Sequence, residues 1–363
     1  MPMQFIFKKL IYACCLYSII PNLSLAQKSK VPIIIAEQGS FAVGGKILKQ
    51  GGNFTLTNPL AAEGQTFHGD HAAVFYQIPQ KANKWPLVFL HGAGQSKRTW
   101  ESTPDGREGF QNLFLRKHFS VYLVDQPRRA AAGRSTIPTT IQPTADEYFW
   151  FSQFRLGNYP AFFENVQFPR DEASLEQFYR QMTPNTGDFD ATVVSDALSA
   201  LINKIQGAIL VTHSQGGGPG WMTAIKNNHV KGIVAYEPYS GFVFPENEAP
   251  EPINSTGLFG PLKAQEISKT DFLKLTKIPI VLYYGDNIAE HPSDIWNKDH
   301  WRAGLEMATK FVALINQYGG NAQLIHFPKI GIYGNTHFPF TDLNNERIAE
   351  ELSNWILNNQ LAP

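Results

Sequence analysis

The chain has 363 residues, 43% of them hydrophobic and 17% charged, and equal numbers of acidic and basic side chains leave no formal net charge. That is the composition of a folded protein long enough to bury a large core. It carries no basic footprint for nucleic acid, and beyond the N-terminus no apolar run reaches the roughly 18 residues of a membrane-spanning helix.

Residues 1–26 read as a signal peptide. Lys8 and Lys9 provide the positive flank, LIYACCLYSII the apolar stretch, and Ser24-Leu25-Ala26 a small-x-small cleavage site. Acylation at Cys14 or Cys15 would leave almost no apolar run after Lys9, so a lipoprotein signal fits poorly. Cleavage after about Ala26 leaves 27–363 as a secreted or periplasmic chain. It also removes both cysteines, so the mature protein would have no disulfide, no reactive thiol and no cysteine-based zinc site, even in a compartment that permits bridges.

Short apolar runs then recur along the chain. AAVFYQI (72–78), PLVFL (86–90), VYLVD (121–125), AILVT (208–212), GIVAY (232–236), PIVLYY (279–284) and AQLIHF (322–327) predict strands. They are nearly continuous in apolar character rather than alternating, which indicates strands covered on both faces. Residues 109–118, 190–205, 306–318 and 345–358 carry apolar side chains at helical spacing. Strand and helix in alternation predict an α/β fold with a mostly parallel sheet. Two stretches break the rhythm. Residues 138–186 hold the aromatic run EYFWFSQFRLGNYPAFF, and 238–276 are rich in Pro, Gly and Asn with no clear strand. Connections of that length inside a compact domain are usually functional. The first reads as a cap insertion, with Trp150, Phe151 and Phe154 as candidates for a substrate pocket and a small satellite core as the plainer role. The second reads as a loop insertion.

LVTHSQGGGPGW, residues 210–221, carries the chemistry. Ser214 falls between a parallel-type strand and a helix beginning near Gln215, where ligands sit in open α/β sheets. A sharp turn there exposes the hydroxyl as a nucleophile. Gly216 supplies one of the small residues such a turn needs; Thr212 stands where the other glycine is expected. A serine hydroxyl needs a base. His213 adjoins the serine and should point away from it. His337, in GIYGNTHFPF after the last strand, can reach back over the sheet. The base needs a carboxylate to fix its tautomer, and two acids follow strands in the right interval, Glu237 in VAYEPYS and Asp286 in YYGDN. His91 opens HGAG after the strand PLVFL, a position from which Ala93, together with Gln215, would donate backbone N–H groups to an oxyanion hole. A histidine of ordinary basicity predicts activity rising between about pH 6 and 7.

HGAGQSKRTWESTPDGREGFQNLFLRKHFSVYLVDQPRRAAAGRS, THSQGG, AYEP and GIYGNTHFPFTDLNN resemble the secreted bacterial and fungal α/β-hydrolase esterases over nearly the whole mature chain. The TPDGR and GNTH blocks are far more specific than a serine turn alone. The resemblance implies an α/β-hydrolase fold, with Ser214 as nucleophile, His337 as base, Glu237 as acid and an oxyanion hole at Ala93 and Gln215. Some relatives have adjacent cysteines where this chain has Ala93 and Gly94. The residues weigh the same way on the acid: Asp286 directly follows Gly285 and has a short reach, whereas Glu237 is longer and is fixed by Pro238. Asp286 then becomes a structural loop residue.

The expected function is hydrolysis of a small carboxylic ester or lactone through an acyl-serine. The alternative is a catalytically inactive hydrolase fold used for binding, which usually lacks the nucleophile or the base; neither is missing here. GGGPG lacks the lysine of a phosphate loop and the spacing of a dinucleotide fingerprint. Serine at the turn argues against dehalogenase or epoxide hydrolase chemistry. No His-carboxylate spacing suggests a metal, and no cofactor is expected.

Overall fold

Every apolar run read as a strand enters the same sheet. The structure, a computed structural model, describes residues 31–362, so the expected signal peptide, 1–26, lies outside the described residues. The chain begins with β1 (Ile35–Val43), the short pair β2 (Lys46–Lys49) and β3 (Thr66–Gly69), β4 (Ala72–Pro79), β5 (Leu87–Leu90), α1 (Phe110–Arg116) and β6 (Val121–Asp125). The aromatic segment then contributes α2 (Glu147–Gln153), β7 (Gly157–Asn158), β8 (Ala161–Phe162) and α3 (Glu172–Arg180). Next come α4 (Ala191–Ile205), β9 (Ala208–His213), α5 (Gly217–Lys226) and β10 (Val230–Tyr236). The Pro/Gly/Asn-rich connection holds β11 (Val243–Pro245), β12 (Gln265–Ile267) and α6 (Lys269–Leu275). The chain closes with β13 (Pro279–Tyr284), α7 (Trp296–Gln317), β14 (Asn321–His326) and α8 (Asn345–Asn358).

The main sheet has eight strands in the order β1-β4-β6-β5-β9-β10-β13-β14. β4 runs antiparallel to β1 and β6, and every other neighbouring pair is parallel. Successive side chains alternate between two cores. Leu210, Ile233 and Leu282 join α4, α5, α6 and α7 on one face, whereas Ile209, Val234 and Val281 join α1 and α8 on the other. Both faces are covered, which is why these strands read as unbroken apolar runs.

Three departures from the sequence reading have local causes. β1 was not expected; it is a largely exposed edge strand whose polar residues IAEQGS hide it. β11 and β12 form a parallel pair of three residues each in the stretch read as strandless, too short to display a period. α7 starts ten residues earlier than expected. Its first turns bury Asn297, Asp299, His300 and Arg302, so a polar composition masks a buried helix.

Because β9, β10 and β13 are parallel neighbours, their C-terminal ends share one edge of the sheet. Ser214, Glu237 and Asp286 follow those three ends.

Candidate active site

Ser214 closes β9 with φ at 52°, in the left-handed region that a non-glycine residue rarely adopts. Such strain costs on the order of 1–3 kcal/mol and must be held by its surroundings. The turn packs against the loop after β5, where a Cβ on Gly92 would stand 2.8 Å from Ser214 Cβ and 2.8 Å from His213 Nδ1. Glycine at 92 is what lets that loop come alongside the serine. Thr212, the departure from the usual serine turn, is also accommodated: a Cβ on Gly220 in α5 would lie 3.0 Å from its methyl group. The space normally left by a glycine in the strand is supplied by a glycine in the helix.

His337 is almost wholly buried, and its Nδ1–H donates to Glu237 Oε2 at 2.6 Å. A carboxylate can only accept, so this bond fixes the tautomer and leaves Nε2 with its lone pair. The loop carrying His337 is held from several sides. Its backbone N–H donates to the Phe154 carbonyl at 3.0 Å, and its carbonyl accepts from His213 Nε2 at 2.9 Å. His213 is thus a structural residue, as its position beside the turn implied. Asp342 accepts from Asn335 Nδ2, Thr336 N and Thr336 Oγ1 at 3.0, 2.8 and 2.8 Å. Burial pushes its carboxyl up to about 7. The TPDGR block serves the same loop: Arg107 donates to the carbonyls of Thr341, Asp342 and Leu343 and to Asn345 Oδ1. The His337 ring lies between Trp301 and Phe154, with centroids 4.1 and 5.2 Å away.

The two acids have different surroundings. Glu237, fully buried with φ at 46°, turns Oε2 to His337, while Oε1 accepts from the Gly285 N–H at 2.6 Å and from Arg155. Among the described residues no hydrogen bond or ion pair joins Asp286 to His337. Its carboxylate accepts from the Gly334 and Asn287 N–H groups at 2.7 and 2.6 Å and from Asn165 Nδ2 at 3.0 Å, so it pins loops. Arg155 was missed in the sequence. It is fully buried, and its Nε donates to the Asp286 carbonyl at 2.8 Å. The available signal was an arginine inside FSQFRLG, because arginine in so apolar a run is buried only if paired.

The loop after β5 is braced from below. Buried Arg129 donates through Nη1 to the carbonyls of Gly92 and Gln95 at 3.0 and 3.2 Å. His91 is sealed beneath it, its Nδ1–H donating to the Gly92 carbonyl at 3.0 Å, and burial followed by the Arg129 charge holds it down to about 3. With the carbonyls tied down, the Ala93 N–H has no acceptor among the described residues. Gln215 is the second residue of the 3₁₀ turn Ser214–Gly216 that leads into α5, where N–H groups lack a partner one turn back.

Ala93, Ser214, Gln215 and His337 line one cavity of about 420 Å³, with Trp150, Phe154, Tyr239, Phe259 and Trp301 among its walls. A larger hollow of about 690 Å³, bordered by Asn254 and Arg302, includes none of the expected site residues. No hydrogen bond joins the Ser214 hydroxyl to His337 among the described residues, although both face the same space; such contacts commonly tighten only when substrate is bound.

Of the three aromatic candidates, Trp150 and Phe154 line the cavity and Phe151 does not. Phe151 is fully buried against Phe162 and Tyr159, with centroids 4.9 and 5.6 Å away. Each helical residue turns about 100° from the last, so one step along α2 takes a ring from cavity to core.

The expectation of a histidine titrating between 6 and 7 is also corrected. Burial, then the Arg155 charge, then His300 hold His337 well below its ordinary value, so it is neutral at neutral pH. His300, stacked on Tyr239 at 3.7 Å, is held down to about 3 by burial first. Among the described residues there is no cluster of three or more His, Cys, Asp or Glu able to hold a metal ion, and no helix long and apolar enough to cross a membrane.

Comparison with known proteins identifies relatives of this fold. A sequence model of the alpha/beta hydrolase family matches residues 87–350. A protein named probable secreted lipase phiG, from Fungal sp. (strain ATCC 74256), is 28% identical, the match covering 77% of this chain and 84% of the fungal one. A solved structure described as a novel bacterial esterase superposes with a TM-score of 0.72 at 29% identity, covering 91% of this chain and 98% of its own.

Proposed function

The chain belongs to the alpha/beta hydrolase family, and within it we propose a secreted serine hydrolase that cleaves carboxylic esters, lactones included, through an acyl-serine intermediate. One observation carries this reading. His337 Nδ1–H donates a hydrogen bond to Glu237 Oε2 at 2.6 Å, and His337 faces, with Ser214, a cavity into which the Ala93 loop also opens. In that arrangement His337 Nε2 takes the Ser214 proton as the hydroxyl attacks the ester carbonyl. Glu237 stabilises the imidazolium so formed. The N–H groups of Ala93 and Gln215 receive the oxyanion, an interaction worth about 3–4 kcal/mol per donor. His337 then returns the proton to the leaving alcohol, and water repeats the sequence on the acyl-serine. The signal peptide expected at 1–26 and the fungal relative's name, that of a secreted lipase, support export.

The test is to treat the mature protein, residues 27–363, with a fluorophosphonate and to run it on a panel of chromogenic esters and lactones. Labelling at Ser214 that disappears in Ser214→Ala, with turnover of at least one ester class, is expected. Labelling that persists in Ser214→Ala would sink the assignment. Neither labelling nor turnover would favour the binding role.

A further inference from the structure

Arg155 is the one charged side chain of residues 138–186 that is wholly buried. It reaches three neighbours at once. Nη2 pairs with Glu237 Oε1, Nε donates to the Asp286 carbonyl at 2.8 Å, and the guanidinium stands 4.9 Å from the centre of the Trp301 ring. Trp301 packs in turn on His337. The backbone around Arg155 is as constrained as that of Ser214 and Glu237, all three having positive φ. The segment itself is stitched to α7, Asn297 Nδ2 donating to the Ser152 carbonyl at 2.8 Å and Trp301 Nε1 to that of Gln153 at 2.7 Å.

Only one oxygen of Glu237 faces His337. The other is shared between Arg155 and the Gly285 N–H. Without the guanidinium that second oxygen would keep a single neutral donor, the carboxylate could turn, and its charge would act on His337 with no cation beside it. We propose that Arg155 is a positioning residue for the hydrolysis: from the aromatic segment it fixes one oxygen of Glu237, turns the other to His337, and offsets the charge that His337 feels. This rests on the reading of Ser214, His337 and Glu237 as the catalytic groups.

The charged and titratable side chains around His337 leave few other sources for such an effect. Glu237 faces it from the end of β10, Arg155 from the aromatic segment, His300 from α7 and His213 from β9. His213 and His300 are themselves held down by burial. Asp342 and Asp286 face loop donors instead. Arg155 is the cation that acts on His337 most strongly after burial itself. Its removal should therefore make the base protonate at higher pH.

The test is kcat/KM for an activated ester between about pH 4 and 9 for the wild type, Arg155→Met and Arg155→Lys. The acid limb should move up by roughly one to three pH units in Arg155→Met, the range a neighbouring charge produces, and Arg155→Lys should return part of the way. A lower plateau with the limb in place would mean that Arg155 only supports the fold, and would overturn the proposal. If Arg155→Met does not fold, Arg155→Gln, which keeps a hydrogen-bond donor near Glu237 but no charge, takes its place: the His337 imidazole, assigned by NMR against His337→Gln, should titrate at higher pH than in the wild type. A titration unchanged from the wild type would contradict the proposal, because burial is the same in both. A wild type that neither hydrolyses esters nor reacts with a fluorophosphonate would fail the functional reading instead, and the NMR titration would still report on Arg155.

Discussion

Glu237 and Asp286 stand at the ends of neighbouring parallel strands, on the same edge of the same sheet, each just past an apolar run. One is sealed between His337 and Arg155, while the other is partly exposed and occupied by backbone N–H groups. Position in the topology admits both as the partner of the histidine. What separates them is reach and direction. Glu237 has one more methylene and a left-handed backbone that swings it towards the His337 loop; Asp286 follows Gly285 so closely that its carboxylate closes its own loop. The lesson is that a strand end selects a place, and the neighbours of the side chain select its task.

The comparison can be broken most sharply at Glu237. Glu237→Gln should lower kcat on the order of 10²–10⁴-fold, because a neutral amide no longer enforces the histidine tautomer, while the circular dichroism of the fold persists. Asp286→Asn should lower kcat by less than about tenfold and act mainly on stability. Its loop donors lose a charged acceptor, an effect of about 1–3 kcal/mol read from denaturant titration. If the two results were exchanged, the catalytic acid would belong after β13.

Trp150 and Phe151 extend the comparison to sequence neighbours with different surroundings. Phe151→Ala should cost about 3–5 kcal/mol of stability through the cavity it leaves, with the ranking of ester substrates unchanged. Trp150→Ala should cost less stability and alter the ranking of acyl chain lengths, measured on one panel of esters. The smallest effect expected is on pH. The base is competent above its own pKa, and burial and Arg155 lower that value, so kcat/KM should be nearly flat from about pH 8 down through 6 and fall only in more acid solution. A fall between 7 and 6 would mean that His337 titrates as an ordinary histidine.

Much of this was legible in the residues. The central strands could be read because a short unbroken run such as PIVLYY needs apolar cover on both sides, whereas β1 could not, its polar edge resembling a loop. Ser214, His337 and the pair of acids followed from the need of a serine for a base and of a base for a carboxylate. Arg129 and Trp301 were not legible, and of Arg155 only its burial was, because their importance lies in what they touch. Arg155 meets Glu237 82 residues further along the chain, and no local period records that meeting. Thr212 read as a flaw in the serine turn only because its compensation, Gly220, lies across the turn in the following helix.

The most direct test of the acyl-serine account is the intact mass of the mature protein, acid-quenched within milliseconds of mixing with excess chromogenic ester. The account predicts a population heavier by one acyl group, mapped by peptide digestion to Ser214, formed with a burst of alcohol and absent in Ser214→Ala. Steady turnover by the wild type with no acyl adduct, or an adduct on any other residue, would contradict it.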